Sequence, residues 1–524
     1  MVSDREAEMP EVIIPEAFNA ATWVVDRNLE EGRAGKTAIL SGDRAISYGE
    51  LAACINRTGN ALRRLGVEME QRVLLLLLDC PEFAYSFFGA MKIGAVPVPA
   101  NTLLKAQDYA YLLEDSRARV LIVNAELLPA IEPVLRDARY LRHVLVVGGE
   151  GPRDFQACLD GEPADLDPAP TTCDDVAFWL YTSGTTGRSR GAVHLHHDMV
   201  YCSRLYAEGI LRMNEDDRTF SIAKLFFAYG LGNALYCPLA AGATTVLFPG
   251  RPQPDAIFDV VNRYRPTLFF GVPTAYAAML HAAERGAQVD MSSVRNGVSA
   301  GEALPASVFT RCRDRFGFDI LDGIGSTEIL HIFLSNRPGD IRPGSSGKPV
   351  DGYDIKLLDD DGGPTAQGEV GNLWVSGNST CPYYWNKHEA SKRAFNGEWM
   401  RTGDKYRIDD DGYYWYAGRA DDMLKVGGIW VSPTEVESTI VEHPDVLECA
   451  VIGAEDADTL VKPKAYVVLK DRAGAGEATA TAIQSFVKDR IAPYKYPRWI
   501  EFVDELPKTA TGKIQRFKLR GMPH

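Results

Sequence analysis

The chain has 524 residues, 46% of them hydrophobic and 24% charged, and a formal net charge of −15. That length exceeds what one hydrophobic core serves, so several subdomains are expected. The acidic balance argues against nucleic acid as the main partner. The longest apolar run, Val73 to Leu78, is too short to span a bilayer and argues against a membrane partner.

The N-terminal stretch MVSDREAEMPEV lacks a signal-peptide core. Cys54, Cys80, Cys158, Cys173, Cys202, Cys237, Cys312, Cys381 and Cys449 are scattered, with no C-x-x-C, which predicts reduced thiols and a cytoplasmic location. Arg72 to Asp79 predicts a buried strand, and Pro81 to Lys92 a helix whose proline stands where its missing N–H does no harm. Ala95 to Pro99, Val120 to Asn124 and His143 to Val147 predict further strands. This βαβ rhythm implies a mostly parallel sheet covered by helices.

Next, the apolar Phe178-Trp179-Leu180 leads into Tyr181-Thr182-Ser183-Gly184-Thr185-Thr186-Gly187-Arg188-Ser189-Arg190-Gly191. The pattern reads as a strand followed by a phosphate-cradling loop. Glycines let backbone N–H groups approach an anion, hydroxyls donate hydrogen bonds and arginines neutralise charge. It is not a Walker A loop, which requires G-x-x-x-x-G-K-[ST]. The βαβ rhythm recurs from about 178 to 335, and from about 345 to 420 Gly- and Asp-rich turns separate short strands at Ile355–Leu357, Leu373–Val375 and Tyr413–Tyr416, an antiparallel pattern. A smaller unit follows a boundary near Gly418 to Asp422. Ser432-Pro433-Thr434-Glu435 is a capping box whose helix should stop at His443, before Pro444. Cys449–Ile452 and Ala465–Leu469 predict strands, Ala473–Thr481 a surface loop running into a helix, and Ile483, Phe486, Val487 and Ile491 one helical face.

Five further clusters carry chemistry. In Asp322-Gly323-Ile324-Gly325-Ser326-Thr327-Glu328, a carboxylate after small and hydroxyl residues suits Mg²⁺ held against phosphate. In Thr402-Gly403-Asp404 an acid after a tight turn suits ribose hydroxyls. Gly418-Arg419-Ala420-Asp421-Asp422, Lys425-Val426-Gly427-Gly428 and the loop Pro507 to Ile514, which carries Lys513, complete the series.

With these clusters in this order, the chain resembles the adenylate-forming superfamily of acyl-CoA synthetases, adenylation domains and luciferases, from about residue 15 to 520. Within it, Lys224 to Asn233, Asp322 to Asn336 and Ala492 to Pro497 are most similar to benzoate–CoA ligases. The resemblance implies an α/β fold. A large N-terminal domain (1–420) would hold mostly parallel α/β subdomains and a small β-barrel-like part, followed by a small mobile α+β C-terminal domain (421–524) hinged at Asp421. It implies that ATP, Mg²⁺ and coenzyme A are used to turn a small aromatic acid into its thioester through an acyl-adenylate. Lys513 would bridge carboxylate and α-phosphate. Thr182, Ser183, Gly184, Thr185, Thr186 and Gly187 would wrap the β- and γ-phosphates. Glu328 would hold the metal, with Thr327 beside it. Asp404 and Arg419 would bind ribose, while Gly301-Glu302-Ala303 and Asp322-Gly323-Ile324 flank adenine. Ala228, Tyr229, Ala300, Gly325, His331 and Ile332 would line the acid pocket, whose small residues and flat walls suit one planar ring. Lys425, Gly427 and Gly428 would sit beside the pantetheine arm. The resemblance leaves room for a homodimer, and for an acetyltransferase and deacetylase acting on Lys513. The loop departs from the family's usual Pro-Lys-Gly by ending in Ser189-Arg190-Gly191, and Ile324 stands where an aromatic residue is often found.

Other readings remain open at this point. The acid could instead be 4-hydroxybenzoate, 2-furoate or a medium-chain fatty acid. Gly297-Val298-Ser299-Ala300-Gly301 matches the nucleophile elbow of a serine hydrolase, without downstream partner signatures. His194-Leu195-His196-His197 has no accompanying ligand-spaced Cys or carboxylates, and is expected to pack behind the phosphate loop rather than bind metal.

Overall fold

Six consecutive parallel strands form the centre of the large N-terminal region in a computed structural model of the chain. In spatial order they are Asp319–Gly325, Asn296–Ser299, Leu268–Gly271, Arg218–Ser221, Thr244–Val246 and Thr37–Ser41. Antiparallel strands at both edges complete nine. The structure describes residues 12–182, 189–420, 422–426, 429–456, 460–492, 495–508 and 514–520.

A second, fully parallel sheet orders Val96–Pro99, Arg72–Leu76, Val120–Asn124 and His143–Val147. Its two central strands, Arg72–Leu76 and Val120–Asn124, are runs of Val, Leu and Ile because both their faces are covered. The helix Pro81–Lys92 has the predicted bounds and is buried almost all round. Its Phe87 meets Phe178 at 5.5 Å between ring centroids, which ties this sheet to the segment leading into the glycine-rich loop.

That segment differs from expectation. Val176–Thr182 and Arg190–Leu195 pair antiparallel, Thr182 opposite Arg190. The reason is length: parallel pairing needs a crossover of about a dozen residues, more than residues 183–189 supply. The βαβ rhythm begins only after this hairpin. From Tyr353 to Arg419 the chain forms the expected small antiparallel sheet, of five strands.

After Arg419 comes the two-stranded ladder Leu424–Val426 with Ile429–Val431, then an α+β unit. Strands Val446–Glu455, Val461–Leu469 and Trp499–Phe502 make its sheet. Helices Pro433–Val441 and Glu477–Lys488 cover it through Val436, Ile440, Ile483 and Val487. The capping box is half made. Ser432 accepts from the Glu435 N–H, whereas the Glu435 carboxylate is taken by Lys495 Nζ at 2.6 and 2.7 Å. Among the described residues no helix is long and apolar enough to cross a membrane.

Candidate active site

A cavity of about 2250 Å³ opens at the ends of the central strands and is lined from both the large region and the small unit. The end of Asp319–Gly325 and the turn after it present Gly323, Ile324, Gly325, Thr327 and Glu328 to it. Ligand sites at such strand ends are the general rule for open α/β sheets. Gly301, Glu302, Ala303, Thr182, Asp404 and Arg419 share the same cavity, so most of the residues singled out for a nucleotide converge.

Each member is held by neighbours that sequence spacing does not reveal. Tyr384 donates its hydroxyl to Glu328 Oε1 at 2.7 Å. The Thr327 carbonyl meets His194 Nε2 at 2.8 Å, while His194 Nδ1 meets Asp198 Oδ2 at 2.7 Å. Burial alone would raise the Asp198 carboxyl, but hydrogen bonds from His194 and His197 hold it below its usual range. His194 thus supports the Glu328 turn; the loop it was expected to pack behind, residues 183–188, lies outside the described residues. His196 instead accepts from the Ala20 N–H at 3.0 Å. The fold brings Cys173 and Asp174 beside His197, a grouping the sequence spacing concealed.

Arg419 and Asp404 face each other across two antiparallel strands. Arg419 Nη1 donates to Asp404 Oδ1 and to the Thr402 carbonyl, each at 3.0 Å. Gly403 between them has φ +77°, and a Cβ there would lie 2.7 Å from Arg419 Nη2, so glycine is required.

The Asp322 side chain does not reach the cavity. It is buried, accepts from the Leu304 N–H at 3.3 Å, and burial pushes its carboxyl up to about 8. Ser299 is also fully buried, on the central strand Asn296–Ser299, with Asp322 as its polar neighbour. A nucleophile elbow needs an exposed serine beside a base, so the hydrolase reading fails.

The residues singled out for the acid form a second group behind Gly325. Ile332 pairs with Gly325 across adjacent strands. The Tyr229 hydroxyl donates towards the Gly271 and Val298 carbonyls at 3.1 and 3.2 Å, which fixes its ring near Ala300. Ala228 precedes it at the start of the helical turn Ala228–Leu231. His331 is buried 6.3 Å from the Tyr229 ring and 4.9 Å from that of Tyr206. Neither of its ring nitrogens has a hydrogen-bond partner among the described residues, and burial pushes its pKa down to about 3, so it is neutral.

The small unit reaches the same cavity. The Ile514 N–H donates to Glu302 Oε1 at 3.2 Å, and Lys508 and Ile514 form an antiparallel bridge. Lys513, Ser183 to Gly187, Asp421, Gly427 and Gly428 lie outside the described residues; Lys425 is described only as part of the strand Leu424–Val426.

Two family models match. The AMP-binding enzyme model covers residues 25–385 and the AMP-binding enzyme C-terminal domain model covers 435–513. The chain is 53% identical to a benzoate–CoA ligase of Thauera aromatica over 99% of each chain. It superposes on a crystal structure of an anthranilate CoA ligase in complex with anthranoyl-AMP with TM-score 0.94 and 48% identity, covering 97% of this chain and 98% of that one. A benzoate CoA ligase from Burkholderia xenovorans LB400 gives TM-score 0.90 and 47% identity over 96% of this chain and all of that one. The chain belongs to the AMP-binding enzyme family.

Proposed function

We propose that this AMP-binding enzyme joins a small aromatic acid, benzoate first, to coenzyme A at the expense of ATP, through an aryl-adenylate. The observation that carries the reading is the pairing of Gly325 with Ile332. It sets buried Ile332, with His331 beside it, directly behind Gly325, a cavity-lining residue with no side chain, which supports an acid site there.

In the first step an acid oxygen bonds to the α-phosphorus and the bond to pyrophosphate breaks. In the second the coenzyme A sulfur bonds to the acyl carbon, losing its proton, and AMP departs. Two anions must meet in the first step, so catalysis is mainly positioning and charge neutralisation. Residues Thr182 to Gly187 wrap the β- and γ-phosphates. Asp404 accepts from a ribose hydroxyl, its orientation fixed by Arg419. Gly301 to Ala303 and Gly323-Ile324 flank adenine, and Asp322 supports that wall from behind. Lys513 neutralises the meeting anions; the contact of its neighbour Ile514 with Glu302 supports this. Glu328 offers a carboxylate oxygen and Thr327 a hydroxyl, a hard-oxygen set that fits Mg²⁺. When bound, Mg²⁺ offsets phosphate charge.

The small domain, 421–524, then turns about Asp421, withdrawing Lys513 and bringing Lys425, Gly427 and Gly428 beside the pantetheine arm. All nine cysteines are free thiols, which supports a reducing, cytoplasmic setting. The unpartnered His331 nitrogens favour a second acid class, rings carrying a hydroxyl or amino group.

The test is pyrophosphate release with MgATP across benzoate, 4-hydroxybenzoate, 2-aminobenzoate, 2-furoate, acetate and hexanoate, with and without coenzyme A. A benzoate-led profile yielding benzoyl-CoA is expected. An aliphatic-led profile would overturn the pocket argument.

A further inference from the structure

The two strands that carry the glycine-rich loop end against one helix, Ala106–Ser116. Tyr111 and Asp115 stand four residues apart on it and so share a face. The Tyr111 hydroxyl donates to the Ser189 carbonyl at 2.8 Å, at the return end of the loop. Asp115 Oδ2 accepts from the Tyr181 hydroxyl at 2.9 Å, at the outgoing end. The Asp115 side chain is only 7% exposed and its other oxygen accepts from Lys387 Nζ at 2.8 Å. Its carbonyl accepts from the Trp385 indole N–H at 2.9 Å, and the Trp385 ring packs against that of Trp179, tilted by 34° with centroids 4.5 Å apart. The Trp385 backbone N–H donates to the Gly191 carbonyl at 2.8 Å, so this one residue ties the helix, the return strand and the Tyr384 segment together. Arg190 lies 5.5 Å over the Tyr384 ring, whose hydroxyl holds Glu328.

We infer that Tyr111 and Asp115 are positioning residues for the phosphate loop. They clamp its two ends to one helix face, and through Lys387, Trp385 and Tyr384 keep those ends in register with Glu328. Here Ser189 replaces the proline usual in the resembling family, and the Tyr111 hydroxyl fixes that backbone from outside. Neither Tyr111 nor Asp115 lines the cavity. Their effect is to fix the backbone at Tyr181 and Ser189 before a polyphosphate binds, so that less positioning is left to the binding step. The inference rests on the reading that residues 182–187 hold the ATP phosphates.

Tyr111→Phe removes one hydroxyl and no ring packing. Tyr181→Phe removes the other grip and leaves Asp115 paired with Lys387. For each variant of the full-length enzyme, the KM for ATP should rise about tenfold, as expected for one ordering hydrogen bond. The KM for the acid, the melting temperature, and the rate of thioester formation from supplied aryl-adenylate should stay at wild-type values. The combined variant should raise the ATP KM further. An unchanged KM for ATP, or equal increases for ATP and acid, would overturn the inference. Absence of acid-dependent pyrophosphate release in the wild-type protein would instead refute the function on which it rests, so the two failures are distinguishable.

Discussion

Gly232→Ala tests the aryl pocket through its support. Gly232 has φ −65°, a helical backbone that any residue adopts, so alanine introduces no strain there. A Cβ at this position would lie 2.3 Å from His331 Cδ2, 2.5 Å from His331 Nε2 and 2.9 Å from the Tyr236 hydroxyl. Carbon contacts settle near about 3.5 Å, so the imidazole must retreat by more than about 1 Å. Tyr206 stands at 4.9 Å, Tyr229 at 6.3 Å and Tyr236 at 6.4 Å, so the ring is enclosed by aromatic neighbours and its displacement reshapes the wall proposed for the substrate ring. Overpacking of this kind costs about 1–3 kcal/mol, and alanine in place of a helical glycine returns about 1 kcal/mol. The fold therefore loses roughly 0–2 kcal/mol. Binding loses more selectively: a mismatch of one methylene in an apolar pocket changes discrimination about 10- to 200-fold. In steady-state pyrophosphate release, the KM for benzoate should rise by at least about tenfold while the KM for ATP stays within twofold. An unchanged benzoate KM in a folded variant would refute the placement of His331 in the acid pocket.

Three other outcomes are expected. Asp322 is protonated in the folded chain up to about pH 8 and ionised in the unfolded chain above about 4. The unfolded state therefore binds fewer protons in that window, stability falls as pH rises through it, and it levels off above about 8. Asp322→Asn should flatten the decline in melting temperature between pH 5 and 8; an unaltered slope would contradict the buried neutral carboxyl. Arg516 makes three contacts of 2.7–3.2 Å with the buried Glu437 carboxylate, so Arg516→Ala should cost about 3–5 kcal/mol in urea unfolding. A loss below about 1 kcal/mol would show the pair to be dispensable. Lys513→Ala should abolish adenylate formation yet spare thioester formation from supplied aryl-adenylate; equal loss in both steps would remove its assignment to the first.

Local chemistry made much of this fold legible. Val120–Asn124 and His143–Val147 are parallel strands, the first buried and the second half-buried at the sheet edge, whose bounds follow from their apolar runs, and Pro81 marks its helix start because a first-turn proline costs no hydrogen bond. The pieces proposed for phosphate, ribose and metal were legible too, since each is a short stretch compact in sequence. Their supports were not. Asp115 reaches Lys387 across 272 positions, His194 reaches Thr327 across 133 and Tyr384 reaches Glu328 across 56, pairings that only the assembled fold creates. Competition hid other features. Lys495 captures the Glu435 carboxylate that a capping box would use, and a short connection forces the loop hairpin antiparallel within an otherwise βαβ context. Asp322 read as a wall residue because its neighbours line the cavity. Strand alternation puts Asp322 and Ile324 on the same face, so depth separates them: Ile324 lies at the strand end that lines the cavity, while Asp322, two residues back, is buried against the Leu304 N–H.

The central claim is a covalent route through an aryl-adenylate, and oxygen labelling tests it most directly. Benzoate labelled with ¹⁸O in both carboxylate oxygens would be turned over with MgATP and coenzyme A, and the AMP examined by mass spectrometry. If a carboxylate oxygen attacks the α-phosphorus and stays behind when sulfur takes the acyl group, each AMP carries one labelled oxygen. Unlabelled AMP alongside benzoyl-CoA would contradict the account.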